Sequence, residues 1–567
     1  MSALLFRRRL TMLVATLALI GLITGCSFAA TPPPPTTPAP PTNTPAPPTP
    51  TPLPRGGDLT VALAIDLPTL RPWQPRSRGE EQLTAMLYSG LVRLDAQLRP
   101  TPDLAESWEA TADGRTLTVT LRTGLTWHDG APLEAADVLF TLERLRALPL
   151  TSTALLADLR YISGATAPDA TTVVITLTSR FAPILPTLAV PILPRHLLEG
   201  RDLATVNLWE VPVGSGPFQL GTIQPGQQYI LDRFEGFHRG APLLDRVIFQ
   251  VSPDPVATRT ALADGSLLLA ELPWGTHDPP PAGTRLATYP ENGLFFLGFN
   301  LRSGRPFNDL RLRQALALAL DLPRVVEGAT KGQGRLIGST ALPGSWADLT
   351  SVNAPPPDLD AARALLDEAG WTLPAGATIR QREDQPLAAQ LFVRADDERR
   401  VLAARQIAAA GATIGMQISV EAVPFEVVLA RYAPPFDFDL LLGSWRNGAG
   451  DPDFADVAFY DPDDFALFHS SQLSQGDSDE RATRNFVGYA SPVYDAAAQA
   501  ARQLYNLDER RTAIDQAQAA IKADLPYLFL WVDQLPVVLT ERMTTLDGPV
   551  ELDGPLYYWN IERWYLR

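Results

Sequence analysis

The stretch GSWRNGAGDP, from Gly443 to Pro452, sets Trp445, Arg446 and Asn447 side by side among three glycines. A turn needs only one or two glycines. The spacing reads as backbone brought close to a partner, with an aromatic wall beside it. That is chemistry for holding a molecule, and the residues that would break one are not assembled elsewhere. The five histidines, His128, His196, His238, His277 and His469, do not pair at metal-ligand spacing, and no HExxH is present. No GxSxG nucleophile elbow occurs; VGSGPF has the wrong spacing. GQGRLIG, from Gly332, follows a helical region and lacks the Lys-Ser/Thr of a phosphate cradle. The acid pairs Asp396-Asp397 and Asp463-Asp464 sit on polar segments and read as solvated faces. An enzyme is poorly supported, and no cofactor or metal is called for.

The single cysteine, Cys26, closes an N-terminal segment of another kind. Three arginines, Arg7 to Arg9, precede a short apolar core, TMLVATLALIGLI, and then ITGC. A small residue before a lone cysteine resembles the lipobox of bacterial lipoproteins. The resemblance implies a signal peptide over 1–25, cleavage before Cys26 and a diacylglycerol on its thiol. Cleavage removes the three arginines and takes the net charge of −16 three units further negative. That charge argues against a nucleic-acid partner. With one cysteine there is no disulfide framework and no Cys-based zinc site. Residues 26–55 form a linker. Between Thr31 and Pro54 it is almost entirely proline and threonine, which favours extended polyproline II. At ~3.1 Å per residue it spans roughly 75 Å, a stalk that holds a body off a membrane.

The elements that must position any site begin at Gly56. A chain of 567 residues is too long for one core. Alternating runs read as strands: LTVALAI, RTLTVTLR, TTVVITL, FFLGFNL, QISVEAV and FDLLLGSW. QQYILDRF and DRVIFQVS read as a strand pair, and YLFLWV and LPVVLT as two closing strands. Helical spacing appears from Leu133, in PVATRTALADG ending at Gly265, in DLDAARALLDEAG with Asp358 as cap, in RRVLAARQIAAAG and in LDERRTAIDQAQAAIKADL. Strands and helices mix throughout, so the class is α/β.

Several stretches, taken in order, carry a resemblance: GGDLTVAL from Gly56, PDLAESWEATADGRTLTVTLRTGLTWHDGAPLEAADVLFTLE from Pro102, PVGSGPF from Pro212, FNLRSGRPFNDLRLRQALALALD from Phe299, ARALLDEAGW from Ala362 and NFVGYASPVYDA from Asn485. Their order and wording resemble the solute-binding proteins of ABC importers in the peptide/nickel class, family 5. The resemblance implies a two-lobe clamshell of the periplasmic-binding-protein type, with an extra α/β domain on the first lobe. By analogy, lobe I is 56–89, 206–292 and 530–567, the extra domain 90–204, and lobe II 293–528. It implies capture of a small solute or peptide-like ligand outside the cytoplasm, delivery to importer permease subunits, a monomer and no cofactor. Trp127 to Gly130 and Gly214 to Gly216 are expected to shape a packed turn and a crossing segment, with Asp137 as a cap.

Within that family the segment beginning at Trp445 lines the cleft. Trp445 would stack on the ligand, with Arg446 and Asn447 as donors; the plain alternative makes Trp445 core and points Arg446 to solvent. Trp73, in LRPWQP, would line the opposite wall. Peptide-binding relatives carry an aspartate three residues after the tryptophan, which pairs with the peptide's free amino group. Here that place is Gly448, and the nearby acid is Asp451. A free-amino-terminus peptide is therefore not the expected ligand. Two alternatives stay open at this point: a ligand-sensing receptor of the same fold, and a secreted hydrolase.

Overall fold

The computed structural model describes residues 54–75, 77–148, 158–348, 352, 354–446, 461–462, 464–473 and 484–567. Cys26, Asn447, Gly448 and Asp451 lie outside the described residues, and Arg446 is described only as backbone.

β1 (Asp58–Leu63) opens the chain, followed by the helix Arg78–Leu87, which Ser77 caps by accepting from the Glu80 N–H. The extra domain then builds the hairpin β2 (Val92–Leu94) and β3 (Pro100–Pro102), and a four-stranded sheet of β4 (Ala105–Ala110), β5 (Thr116–Leu121), β6 (Ile162–Thr166) and β7 (Thr172–Leu177) in the order β4-β5-β7-β6. The helix Ala135–Arg146 lies against it. Asp137 accepts from the backbone N–H of Glu134 at 3.0 Å and of Arg195 at 3.1 Å, so it ties the helix start to a second segment.

The chain returns through β8 (Phe218–Gln224), β9 (Gln228–Arg233), β10 (Arg246–Val251), β11 (Leu269–Glu271) and β12 (Thr284–Pro290). It enters the next region through β13 (Gly293–Phe299) and β14 (Gly334–Leu336). A small hairpin, β15 (Gln381–Arg382) and β16 (Gln385–Pro386), precedes β17 (Ala388–Arg394), β18 (Gln417–Val423) and β19 (Leu440–Arg446). β20 (Tyr527–Thr540) then runs back across, and β21 (Met543–Thr545), β22 (Gly548–Pro549) and β23 (Trp564–Leu566) end the chain as a three-stranded sheet. The main sheet has twelve strands, ordered β18-β17-β19-β13-β20-β11-β1-β10-β9-β8, with β12 and β14 also pairing with β20.

YLFLWV and LPVVLT are therefore one strand, not two, and they do not close the chain. β12 and β13 together run antiparallel to the length of β20: Thr284 faces Thr540, Pro290 faces Gln534 and Gly298 faces Tyr527. At the crossing, the Glu291 N–H donates to the Asp533 carbonyl at 2.8 Å. Pro536 has no N–H to give, and its carbonyl accepts from Leu272 at 2.9 Å.

Burial divides at the same crossing. One core joins β1, β10, the extra domain and the C-terminal sheet, from Leu59 to Tyr289 and from Val537 to Trp564. Two others lie wholly between Leu294 and Val532. Two chain segments, β12–β13 and β20, thus carry the backbone between separately packed regions.

The PVGSGPF segment is held by close approach. A Cβ on Gly214 would overlap the Leu87 carbonyl oxygen, and one on Gly216 would sit 2.6 Å from the Leu87 carbonyl carbon. Only glycine fits. The WHDG turn fastens to the same place: the Gly214 N–H donates to His128 Nδ1 at 3.1 Å, and Nε2 lies 3.1 Å from the Gly216 carbonyl. Nε2 therefore carries the proton and the ring is neutral. Burial holds the His128 pKa down, to about 4, against a smaller opposing pull from the Gly216 carbonyl and Asp129. A folded-state pKa below the unfolded value contributes stability above pH ~6.5 that is lost as the pH falls toward ~4. His128→Asn lacks this term. Its thermal midpoint should approach that of the wild type as buffers go from pH 7 to pH 4; parallel pH profiles would show that His128 does not titrate this way.

Candidate functional site

The strand directions fix where a ligand site can form. β1 is parallel to β10 and β11, and β11 is antiparallel to β20 with Glu271 facing Val537. The carboxyl ends of β1 and β11 therefore point toward the crossing at 533–534. On the other side, β19 is antiparallel to β13, with Arg446 facing Gly293, and β17 is parallel to β19. The carboxyl ends of β17 and β19 point toward the same crossing. Crevices at the carboxyl edges of such sheets are where α/β folds take ligands. Here two such edges face one hinge-like pair of strands.

On the β1/β11 edge, the helix Arg78–Leu87 brings Arg78 and Gln82 over Glu271. Glu271 Oε1 accepts from Gln82 Nε2 at 2.6 Å, from the Tyr557 hydroxyl at 2.7 Å and from Arg78 Nε at 3.3 Å. The Arg78 guanidinium lies 5.3 Å from the Tyr289 ring centre and 5.8 Å from that of Tyr557. Burial pushes both tyrosine hydroxyls well above their ordinary pKa, so both remain protonated donors.

On the β17/β19 edge, Asp397 caps the helix Glu398–Thr413 by accepting from the N–H groups of Arg399 and Arg400. Burial alone would raise the Asp397 carboxyl; the Arg399 and Arg400 guanidiniums hold it below the ordinary range. Arg399 also donates from Nη1 to both oxygens of Asp533, at 2.8 and 2.9 Å. Its guanidinium lies 4.3 Å from the ring centre of Trp274, just beyond β11. Gln333 completes the junction by accepting from the Trp274 indole N–H and the Gly275 N–H and donating to the Thr276 carbonyl.

The two tryptophans read as cleft walls are both buried. Trp73 is 1% exposed within the first core, and Trp445 is 0% exposed. Trp445 packs against Phe296 at 5.9 Å between ring centres and Tyr432 at 5.8 Å, and its indole N–H donates to the Tyr527 hydroxyl at 3.2 Å. Gly443 has a packing reason: a Cβ there would run into the Tyr432 hydroxyl and sit 2.9 Å from the Phe296 ring. The partner that its bare backbone admits is the protein's own aromatic core. Trp445 and β19 still deliver Arg446 to the carboxyl edge, facing Gly293 at the crossing.

Glu271, Arg399 and Trp274 were not singled out from the sequence. Their partners lie far along the chain, with Tyr557 286 residues from Glu271 and Asp533 134 residues from Arg399. No local pattern marks such pairs. Among the described residues no cluster of three or more His, Cys, Asp or Glu is arranged to hold a metal. No helix among them is long and apolar enough to cross a membrane.

Residues 99–466 match the model of the bacterial extracellular solute-binding proteins, family 5. Protein XP55 of Streptomyces lividans is 30% identical over 477 residues, covering 83% of each chain. The oligopeptide-binding protein AppA of Bacillus subtilis is 26% identical over 542 residues, covering 90% of this chain and 92% of that one. Among solved structures, NikZ from Campylobacter jejuni in complex with Ni(L-His) superposes with a TM-score of 0.64 at 24% identity, covering 89% of this chain and 99% of that one. That likeness establishes the fold: a mixed α/β two-lobe clamshell.

Proposed function

Because the chain belongs to the bacterial extracellular solute-binding proteins of family 5, we propose that it captures a solute between its two lobes and delivers it to an ABC importer. The observation that carries this reading is the convergence of two carboxyl edges on the crossing of β12–β13 with β20. Rotation about that crossing opens and closes the crevice while each core stays packed. Closure excludes water and strengthens the polar contacts inside. The ligand stabilises the closed state, which the importer distinguishes from the open one. In this reading Arg446, Asn447, Gly448 and Asp451 meet the ligand, and the buried rings of Trp445 and Trp73 anchor the segments that do. The mechanism needs no cofactor, and the relatives named above include an oligopeptide binder and a nickel–histidine complex.

The ligand is a solute larger or less charged than a free-amino-terminus peptide: an oligosaccharide, a modified peptide or another amphipathic molecule. Native mass spectrometry of the purified protein tests the function. A co-purified small molecule, released unchanged on denaturation, is expected; a chemically altered product formed on incubation would instead indicate a hydrolase. Attachment is through a lipid on Cys26. Cys26→Ser should shift the protein from the membrane fraction to the soluble one while its thermal midpoint stays unchanged, because the stalk separates anchor from body. Unchanged fractionation, with no lipid mass on Cys26, would sink the anchoring.

A further inference from the structure

The extra domain shares the core of β1 and β10, so it moves with the first lobe. It also touches the second lobe, away from the β12–β13/β20 crossing in sequence. Leu94 and Leu98, from the β2–β3 hairpin, are buried in one cluster with Trp346, Ala347 and Ile514, and the Trp346 N–H donates to the Gln97 carbonyl at 2.8 Å. A second contact centres on the turn after the helix Pro492–Ala501. The Arg502 guanidinium lies 4.9 Å from the Phe181 ring centre and 4.2 Å from that of Phe465, one ring from each side. Its carbonyl accepts from the Ala182 N–H at 2.6 Å. The Tyr505 hydroxyl reaches the Gly114 carbonyl at 3.0 Å.

We propose that the extra domain is a closure latch: its contacts with Arg502, Tyr505 and the Trp346 cluster form when the lobes close and break when they open. The proposal rests on the two-lobe reading. The main cores of the two lobes pack separately and are joined by the crossing strands, whereas these contacts bridge them, so rotation about that crossing must separate or slide the two faces. The latch therefore favours the closed state without touching the ligand. Its residues set the open-to-closed ratio, and through it the apparent affinity, independently of specificity. Arg502 is the side chain that lies against a ring from each lobe in one of the contacts. A cation–π contact of this kind shifts such a ratio by about two- to thirtyfold.

Two spin-label pairs in full-length protein carrying Cys26→Ser distinguish the outcomes. One pair, at Ala112→Cys and Glu509→Cys, spans the latch. The other, at Asp264→Cys and Glu398→Cys, spans the lobes without touching the extra domain. All four sites are exposed. Pulsed dipolar spectroscopy should show a longer-distance population in both pairs, raised about two- to thirtyfold by Arg502→Ala and less by Arg502→Lys. Tyr505→Phe, which removes only a hydroxyl, should shift both pairs in the same direction and serves if Arg502→Ala does not fold. An unchanged latch distance while the lobe pair moves would overturn the latch and leave two-lobe closure standing. A lengthened latch distance with a fixed lobe pair would mean local detachment and would also overturn it. A single fixed distance in both pairs for every variant would remove the latch and the two-lobe reading together.

Discussion

Gly448→Asp should raise the affinity for unmodified tripeptides by a factor of roughly 30 to several thousand. A charge-assisted hydrogen bond to a buried ammonium contributes ~1.5–3 kcal/mol. Leaving the ammonium buried and unpaired costs ~2–5 kcal/mol, which sets that range. Gly448 has no side chain to supply the charge; it stands three residues beyond Trp445, the place where the family resemblance implies an aspartate in peptide binders. Calorimetry against di-, tri- and pentapeptides is the measurement, with Asp451→Asn alongside. Micromolar or tighter binding of peptides by the wild type, abolished in Asp451→Asn, would show that the charge has only moved along the segment.

Arg399→Met should destabilise the protein by about 3–5 kcal/mol, because it strips a buried carboxylate of its guanidinium. The Asp533 side chain is only 2% exposed and takes both of its Arg399 contacts at the crossing between lobes. The double variant Arg399→Met/Asp533→Leu should recover much of the loss, since it removes the buried Asp533 charge and leaves Asp397 paired with Arg400. Guanidinium unfolding of wild type, single and double variants measures this. A single variant within about 1 kcal/mol of wild type would mean that water reaches Asp533 and that the crossing is not packed as described.

Legibility followed how local each signal was. The helix Pro255–Asp264 was readable because Asp254 caps it and Gly265 ends it in the left-handed region at φ 80°. The Asp358 cap of Leu359–Glu368 and the β9–β10 pairing were readable for the same reason. β20 was not, because Asp533, Gln534 and Pro536 look like a break. They sit in mid-strand because Arg399 and the N–H groups of Glu291 and Leu272 reach the polar groups of Asp533 and Pro536 from elsewhere in the chain, and the Gln534 N–H donates to the Gln333 carbonyl. Trp445 was ambiguous in a related way. Tryptophan beside glycine reads as a ligand wall, but the glycine makes room for Tyr432 and Phe296, and neither ring is marked by spacing from Trp445.

Closure around a solute is the central claim, and small-angle X-ray scattering tests it most directly. Protein retaining its co-purified solute would be compared with protein stripped by reversible unfolding in guanidinium and refolded. The stripped form should have the larger radius of gyration, and adding back the released solute should restore the smaller one. Equal radii in the two forms, with native mass spectrometry confirming that one is loaded and the other empty, would contradict capture by closure.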